Sequence, residues 1–329
     1  MNELHDFMEA MRGKRLLHLG HKDADCDALG SAFAMSRFLP GDVGFAEGLK
    51  TPAQDLADHI GLEYIIDPDP DDYEFAIIYD TISLSLLGLP LPASYALFDH
   101  HEPGGHRFAS FHNELAEGAD WAFVIPVEST CSLLVDLFQE QGMEIDRTVA
   151  LALAAGIITD TSWLRRASGP ALRRLATVLE SGGLYLEDVI AVVDSPSRRA
   201  ERRAVLLDAI GGMEMRNCSG WCILAAETES IDHAFALTEA LTHLGGDVRI
   251  VSFPRGESSM LIAECSAAMV EHLSVDLLWL MGVIAGKVGA KETWGTPALG
   301  RIIASIPARE LLAVCVDIFV DEYANDPCP

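Results

Sequence analysis

The stretch His21-Lys22-Asp23-Ala24-Asp25-Cys26-Asp27-Ala28-Leu29-Gly30-Ser31 constrains this chain more than any other. It follows an apolar run, Leu16-Leu17-His18-Leu19, that reads as a buried strand. It opens an apolar-periodic segment, Ala28 to Leu39, that reads as a helix. One imidazole and three carboxylates therefore crowd a strand-to-helix turn. In an α/β protein that turn is the carboxyl end of a strand, where ligands bind. Carboxylates this dense repel one another unless a cation or protons neutralise them. The bland alternative is a solvated acidic loop. A calcium loop is excluded despite the D-x-D-x-D spacing. Its sixth and twelfth positions need Gly and a bidentate Glu, and here they hold Ala28 and Ala34.

Two further strand-like runs stop on the same kinds of residue. Phe75-Ala76-Ile77-Ile78-Tyr79 ends in Asp80, and Tyr95-Ala96-Leu97-Phe98 ends in Asp99-His100-His101. A strongly apolar helix over Arg147 to Ile158 runs out into Thr159-Asp160-Thr161. An acid at the exit of a buried helix is costly unless it is paired or ligates a metal; a capping Asp is the alternative. Together His21, Asp25, Asp27, Asp80, His100 and Asp160 form a set of four carboxylates and two imidazoles. Such a set can hold two divalent cations with one carboxylate shared. Mixed nitrogen and oxygen donors suit manganese better than calcium and leave iron, cobalt, nickel and zinc open. Two ions about 3.5–4 Å apart clamp a phosphoryl group and generate hydroxide between them.

Composition narrows the partners. With 329 residues, 50% of them hydrophobic, the chain can build a large core and two domains. No apolar run reaches the roughly 18 residues of a membrane span. The N-terminus lacks the basic and apolar regions of a signal peptide. The seven cysteines are scattered with no C-x-x-C pair, so a reduced, cytoplasmic protein is expected. A net charge of −27 repels long nucleic acid and anionic membranes. It leaves room for a small phosphorylated ligand held through metal ions, and a homodimer stays open. Only five of the 23 basic residues are lysine, a balance that suits a salt-rich cytoplasm.

Strands and helices alternate over 1–195, which predicts an α/β fold with a parallel, doubly wound sheet. Ser195-Pro196-Ser197 opens an expected linker over 196–212. A smaller mixed α/β domain is expected over 213–329, with the active-site cleft between the two.

These ordered motifs resemble the DHH phosphoesterase superfamily, over about 1–195. That superfamily includes RecJ-type exonucleases, oligoribonucleases, cyclic-dinucleotide phosphodiesterases and manganese-dependent family II pyrophosphatases. The resemblance implies that His21, Asp25 and Asp80 hold one manganese ion, and that Asp27, Asp80, His100 and Asp160 hold the other. It places His101 at the substrate phosphate as general acid or hydrogen-bond donor, with Asp99 orienting the histidine pair. The last part resembles the superfamily's DHHA1 substrate domain in a divergent form. Members that cut nucleotides carry a turn, G-G-G-H-x-x-A-A-G. The matching stretch here, Gly289 to Arg301, ends in Ala298-Leu299-Gly300 and lacks the histidine. There Trp294 is a candidate to stack on a base, and Lys291 or Arg301 to bind phosphate. An ordinary loop with a packing Trp is the alternative. Arg165 heads an arginine-rich stretch reaching Arg203 and is a further phosphate candidate.

The expected activity is hydrolysis of phosphodiester bonds in a short oligonucleotide or dinucleotide. A family II-type pyrophosphatase and a non-catalytic nucleotide-binding protein on the same fold are the alternatives. Asp80→Asn is expected to abolish turnover and metal binding together, because that carboxylate is the shared one. Metal content and hydrolysis measured side by side check this, and a fully active variant refutes it.

Overall fold

The computed structural model describes residues 2–81, 83–101, 114–194, 196–218, 220–266, 269–270, 275–290 and 292–323. The chain divides into two compact units, the first ending at Pro196 and the second running from Ser197.

The first unit comprises α1 (Asn2–Met11), β1 (Leu16–Gly20), α2 (Cys26–Ser36), β2 (Asp42–Phe45), α3 (Thr51–Ile60), β3 (Ile65–Ile66), β4 (Phe75–Tyr79), α4 (Leu84–Leu87), β5 (Tyr95–Asp99), α5 (Glu114–Gly118), β6 (Trp121–Val124), α6 (Thr130–Glu140), α7 (Arg147–Asp160), α8 (Gly169–Gly182) and α9 (Leu186–Val193). Its strands are parallel, in the order β3-β2-β1-β4-β5-β6. The sheet therefore grows outward in two directions from β1 and β4. In such sheets ligands bind beyond the carboxyl ends of the strands, at this point of reversal.

Strands β1 and β4 are buried at every position, as a parallel strand covered on both faces must be. Phe7 of α1, Leu29 of α2 and Ile157 of α7 cover one face with Ile77 and Phe98. Leu87 of α4 and Leu115 of α5 pack on the other with Leu17, Leu19 and Ile78. Helices α2 and α7 meet at bare backbone. A Cβ added at Gly30 would stand 2.6 Å from the Ala152 carbonyl oxygen, and one at Gly156 would stand 2.9 Å from Asp27 Oδ1. That close antiparallel approach brings the start of α2 beside the end of α7.

The second unit comprises α10 (Pro196–Gly211), β7 (Glu214–Cys218), β8 (Trp221–Glu227), α11 (Ile231–His243), β9 (Val248–Arg255), β10 (Ser258–Cys265), α12 (Leu277–Val288), β11 (Glu292–Thr296), β12 (Leu299–Ala304) and α13 (Ala308–Tyr323). Its sheet order is β11-β12-β10-β9-β8-β7. Strands β8 and β9 pair in parallel through the crossover helix α11, and the other neighbours are antiparallel. Two expectations change here. Most of the stretch expected as a linker, 196–212, is the helix α10, whose Leu206, Ala209 and Ile210 pack against this sheet. The expected turn before Arg301 is largely the hairpin β11–β12, in which Trp294 pairs with Arg301. Gly295 has φ +151°, and a Cβ there would run into the Leu299 carbonyl, so the hairpin needs glycine at that point. No helix among the described residues is long and apolar enough to cross a membrane.

A buried polar pair ties β1 to β4 from within. His18 Nδ1 lies 2.8 Å from the Tyr79 hydroxyl, and Nε2 lies 2.8 Å from the Leu39 carbonyl oxygen. The neutral ring satisfies both bonds, with Nε2–H donating to Leu39 and Nδ1 accepting from Tyr79. Burial holds the His18 pKa down, from 6.5 to about 4. Between those values the unfolded chain binds the extra proton, so acid favours unfolding. This contribution is complete above about pH 6.5 and is lost as pH falls toward about 4, at up to about 1.4 kcal/mol per unit. Urea unfolding at pH 7 and pH 5 is expected to show a smaller acid loss for His18→Gln than for wild type.

Candidate metal centre

Each candidate ligand sits where its element ends. His21 follows the last residue of β1, Asp80 follows β4, and His100 and His101 follow β5. Asp25 caps α2, its Oδ1 accepting from the N–H groups of Asp27 (3.0 Å) and Ala28 (3.3 Å). Asp27 lies in the first turn of α2. Asp160 is the last residue of α7. A carboxylate there faces the negative end of the helix dipole, an unfavourable place without a neighbouring cation. Asp80 has φ +55°, a left-handed conformation that costs a non-glycine residue about 1–2 kcal/mol. That cost falls on the residue whose carboxylate is the most shared of the set.

The side chains converge in three overlapping groups: His21, Asp25 and Asp80; Asp27, His100 and Asp160; and Asp80, His100 and His101. Within each group the donor atoms lie within 4.8 Å of one another. His21 Nε2 is 3.7 Å from Asp80 Oδ2. His100 Nε2 is 3.3 Å from Asp80 Oδ1, 3.7 Å from Asp160 Oδ2 and 3.9 Å from Asp27 Oδ2. With metal–ligand bonds of about 2.0–2.2 Å, donors around one ion stand roughly 3–3.6 Å apart. The observed spacings need only small adjustment to fit.

Other hydrogen bonds turn the right nitrogens inward. His21 Nδ1 donates to the Lys22 carbonyl at 2.8 Å, and His100 Nδ1 to the Val127 carbonyl at 3.0 Å. Both leave Nε2 toward the carboxylates. Asp99, fully buried, takes His101 Nδ1 at 2.7 Å. The Asp99 carboxylate bonds His101 Nδ1, and the Val127 carbonyl takes His100 Nδ1. The two imidazoles lie side by side, their ring centres 4.3 Å apart.

Charge is tightly coupled across the site. Burial alone would lower the imidazoles, but Asp80 and Asp25 raise His21 to about 9. Asp80, Asp27 and Asp160 raise His100 to about 11. His101 also rises against its burial, through Asp99 and Asp80. Burial and the other carboxylates lift Asp160 to about 6 and push Asp27 well up. Asp80 goes the other way: burial would raise it, and His100 and His21 outweigh that. These shifts describe carboxylates and imidazoles that share protons tightly, and a divalent ion held there would displace the imidazole protons.

Asp27 is held by contacts that the sequence did not reveal. Its Oδ2 accepts the Thr130 N–H at 2.7 Å and its Oδ1 the Cys131 N–H at 2.8 Å. Of the expected substrate contacts, Arg165 is exposed on the turn after α7. That turn carries three successive left-handed residues, Ser162, Trp163 and Leu164. Trp294 and Arg301 lie in the second unit, each half-buried. Lys291 lies outside the described residues.

Residues 15–157 match the DHH family, N-terminal domain. An uncharacterized protein of Methanocaldococcus jannaschii is 23% identical over 97% of this chain and 98% of its own length. A probable manganese-dependent inorganic pyrophosphatase of Streptococcus pyogenes is 25% identical over 68% of this chain and 73% of its own. Among solved structures, an exopolyphosphatase-related protein from Bacteroides fragilis has a TM-score of 0.74 at 12% identity, covering 98% of this chain and 96% of that one. At that identity the likeness is one of fold.

The two helix-borne acids are expected to respond in opposite ways when made neutral. Asp27→Asn turns an N–H₂ group toward an amide donor, which costs about 1–3 kcal/mol. Asp160→Asn removes a like charge from a helix end, a gain of about 0.3–1 kcal/mol. Thermal melting in a chelator is expected to fall for Asp27→Asn and rise for Asp160→Asn. The same direction for both would contradict the geometry.

Proposed function

Residues 15–157 are a DHH family N-terminal domain, and from that premise we propose that the chain is a metal-dependent phosphoesterase. The observation that carries the reading is the convergence of His21, Asp25, Asp27, Asp80, His100 and Asp160 at strand and helix ends with ligand-like spacing. We propose two divalent ions, manganese by preference, with Asp80 shared between them. When bound, such ions polarise a phosphoryl oxygen and supply hydroxide at neutral pH. The chain's own part is positioning and proton transfer. His101, fixed through Nδ1 by Asp99, presents Nε2 to donate a proton to the phosphate or the departing oxygen.

For the substrate we propose a short oligonucleotide or dinucleotide. Support comes from the second unit. Trp294 lies across the hairpin from Arg301, and the Arg301 guanidinium sits 5.7 Å from the ring centre of Phe235. Arg301 Nε is shielded from solvent with no hydrogen-bond partner among the described residues. Two aromatic residues and a guanidinium whose Nε has no partner among the described residues suit a base and its phosphate. Arg165 is a further phosphate contact in this proposal, and the charge of −27 favours a short substrate over a long strand. The Streptococcus pyogenes relative favours a second reading, inorganic pyrophosphate as substrate.

Manganese-dependent hydrolysis of a short RNA, a short DNA, a cyclic dinucleotide, a 3′,5′-bisphosphorylated nucleoside and pyrophosphate separates these readings. Turnover of a nucleotide supports the first, and turnover of pyrophosphate alone replaces it with the second. Trp294→Ala is expected to raise KM for the nucleotide about tenfold while leaving a generic phosphodiester nearly unchanged. Equal losses on both would make Trp294 a packing residue.

A further inference from the structure

Thr130, the first residue of α6, touches two carboxylates that arrive from separate elements. Its N–H donates to Asp27 Oδ2 at 2.7 Å, and its hydroxyl donates to Asp80 Oδ1 at 3.3 Å. The following N–H, of Cys131, takes the second Asp27 oxygen at 2.8 Å. These amides belong to the first turn of a helix, whose N–H groups have no partner within the helix. Ser129 holds that turn in place, its Oγ accepting from the Ser132 N–H at 2.9 Å. Asp27, Asp80, Ser129 and Thr130 are all buried, so water does not compete for these bonds.

The two oxygens bonded by Thr130 are the ones that face His100. Asp80 Oδ1 lies 3.3 Å and Asp27 Oδ2 lies 3.9 Å from His100 Nε2. Left alone, two neighbouring buried carboxylates swing apart. One residue that bonds both, from a rigid helix end, sets their spacing.

We infer that Thr130 is a positioning residue: it holds Asp27 and Asp80 at the separation needed around His100, so that the donor set is assembled before a cation arrives. The inference rests on the metal-binding part of the reading above and is independent of the substrate. A merely structural Thr130 would act through its methyl group, by filling space, and this separates the two roles.

The test uses the full chain stripped of metal with EDTA, with manganese alone as the probe in titration calorimetry. Thr130→Val keeps the shape and the N–H but deletes the hydroxyl. Thr130→Ser keeps the hydroxyl and deletes the methyl. Thr130→Val is expected to bind manganese about tenfold more weakly than wild type, and Thr130→Ser to stay within about twofold. Cooperative melting of each chain in EDTA verifies the fold, and Thr130→Ala replaces the valine variant if that one melts without cooperativity. Wild-type affinity in Thr130→Val overturns the inference. Equal weakening in Thr130→Ser overturns it too, because the methyl would then account for the effect. A wild-type chain that takes up no manganese overturns the metal-centre reading and this inference with it.

Discussion

Repulsion among Asp25, Asp27, Asp80 and Asp160 is the interaction to which the first unit is built to respond. At an effective dielectric near 20, two like charges about 4 Å apart repel by about 4 kcal/mol. A domain's whole stability is about 5–15 kcal/mol. Several such pairs would therefore unfold an unprepared site. The protein answers with imidazoles from His21, His100 and His101, with two amide donors on Asp27, and with a hydroxyl on Asp80. A divalent cation held there would complete the same answer more strongly.

The backbone bends to serve that arrangement. Asp80 accepts a left-handed conformation at the end of β4. Helix α7 ends on an acid, against its own dipole. Gly30 and Gly156 let α2 and α7 approach so closely that a single added carbon would strike backbone or the Asp27 carboxylate. Each choice is poor locally and consistent with the site globally, the pattern expected where function sets the constraint.

Much of this was legible in the sequence for a definite reason. Apolar runs that stop abruptly on Asp or His announce the carboxyl ends of parallel strands, so β1, β4, β5 and the residues after them could be found by residue type and position. What escaped has no side-chain signature. The donors to Asp27 are backbone amides, and the partner of His100 is the Val127 carbonyl. Pro196 reads as a break, yet it opens α10, where a proline is well tolerated. Gly295 and Pro297 read as a loop and instead shape the tight end of a hairpin. Neither β3 nor β7 stood out, the first being two residues long and the second an edge strand rich in polar residues.

The strand order has a consequence for biosynthesis. Strand β1 pairs with β4, across a long intervening segment, and the last candidate ligand, Asp160, closes α7. At about 5–20 residues per second, the ribosome needs roughly 7–28 seconds to go from His21 to Asp160. Until that interval ends, the acidic turn after β1 lacks its full set of partners, Asp80, His100 and Asp160 arriving in turn. The nascent chain thus offers metal ions a loose, weakly discriminating set of carboxylates. Only the finished sheet, with α7 laid against α2, offers a site with defined spacing. In the metal-centre reading proposed above, choice of metal would therefore be a property of the completed unit.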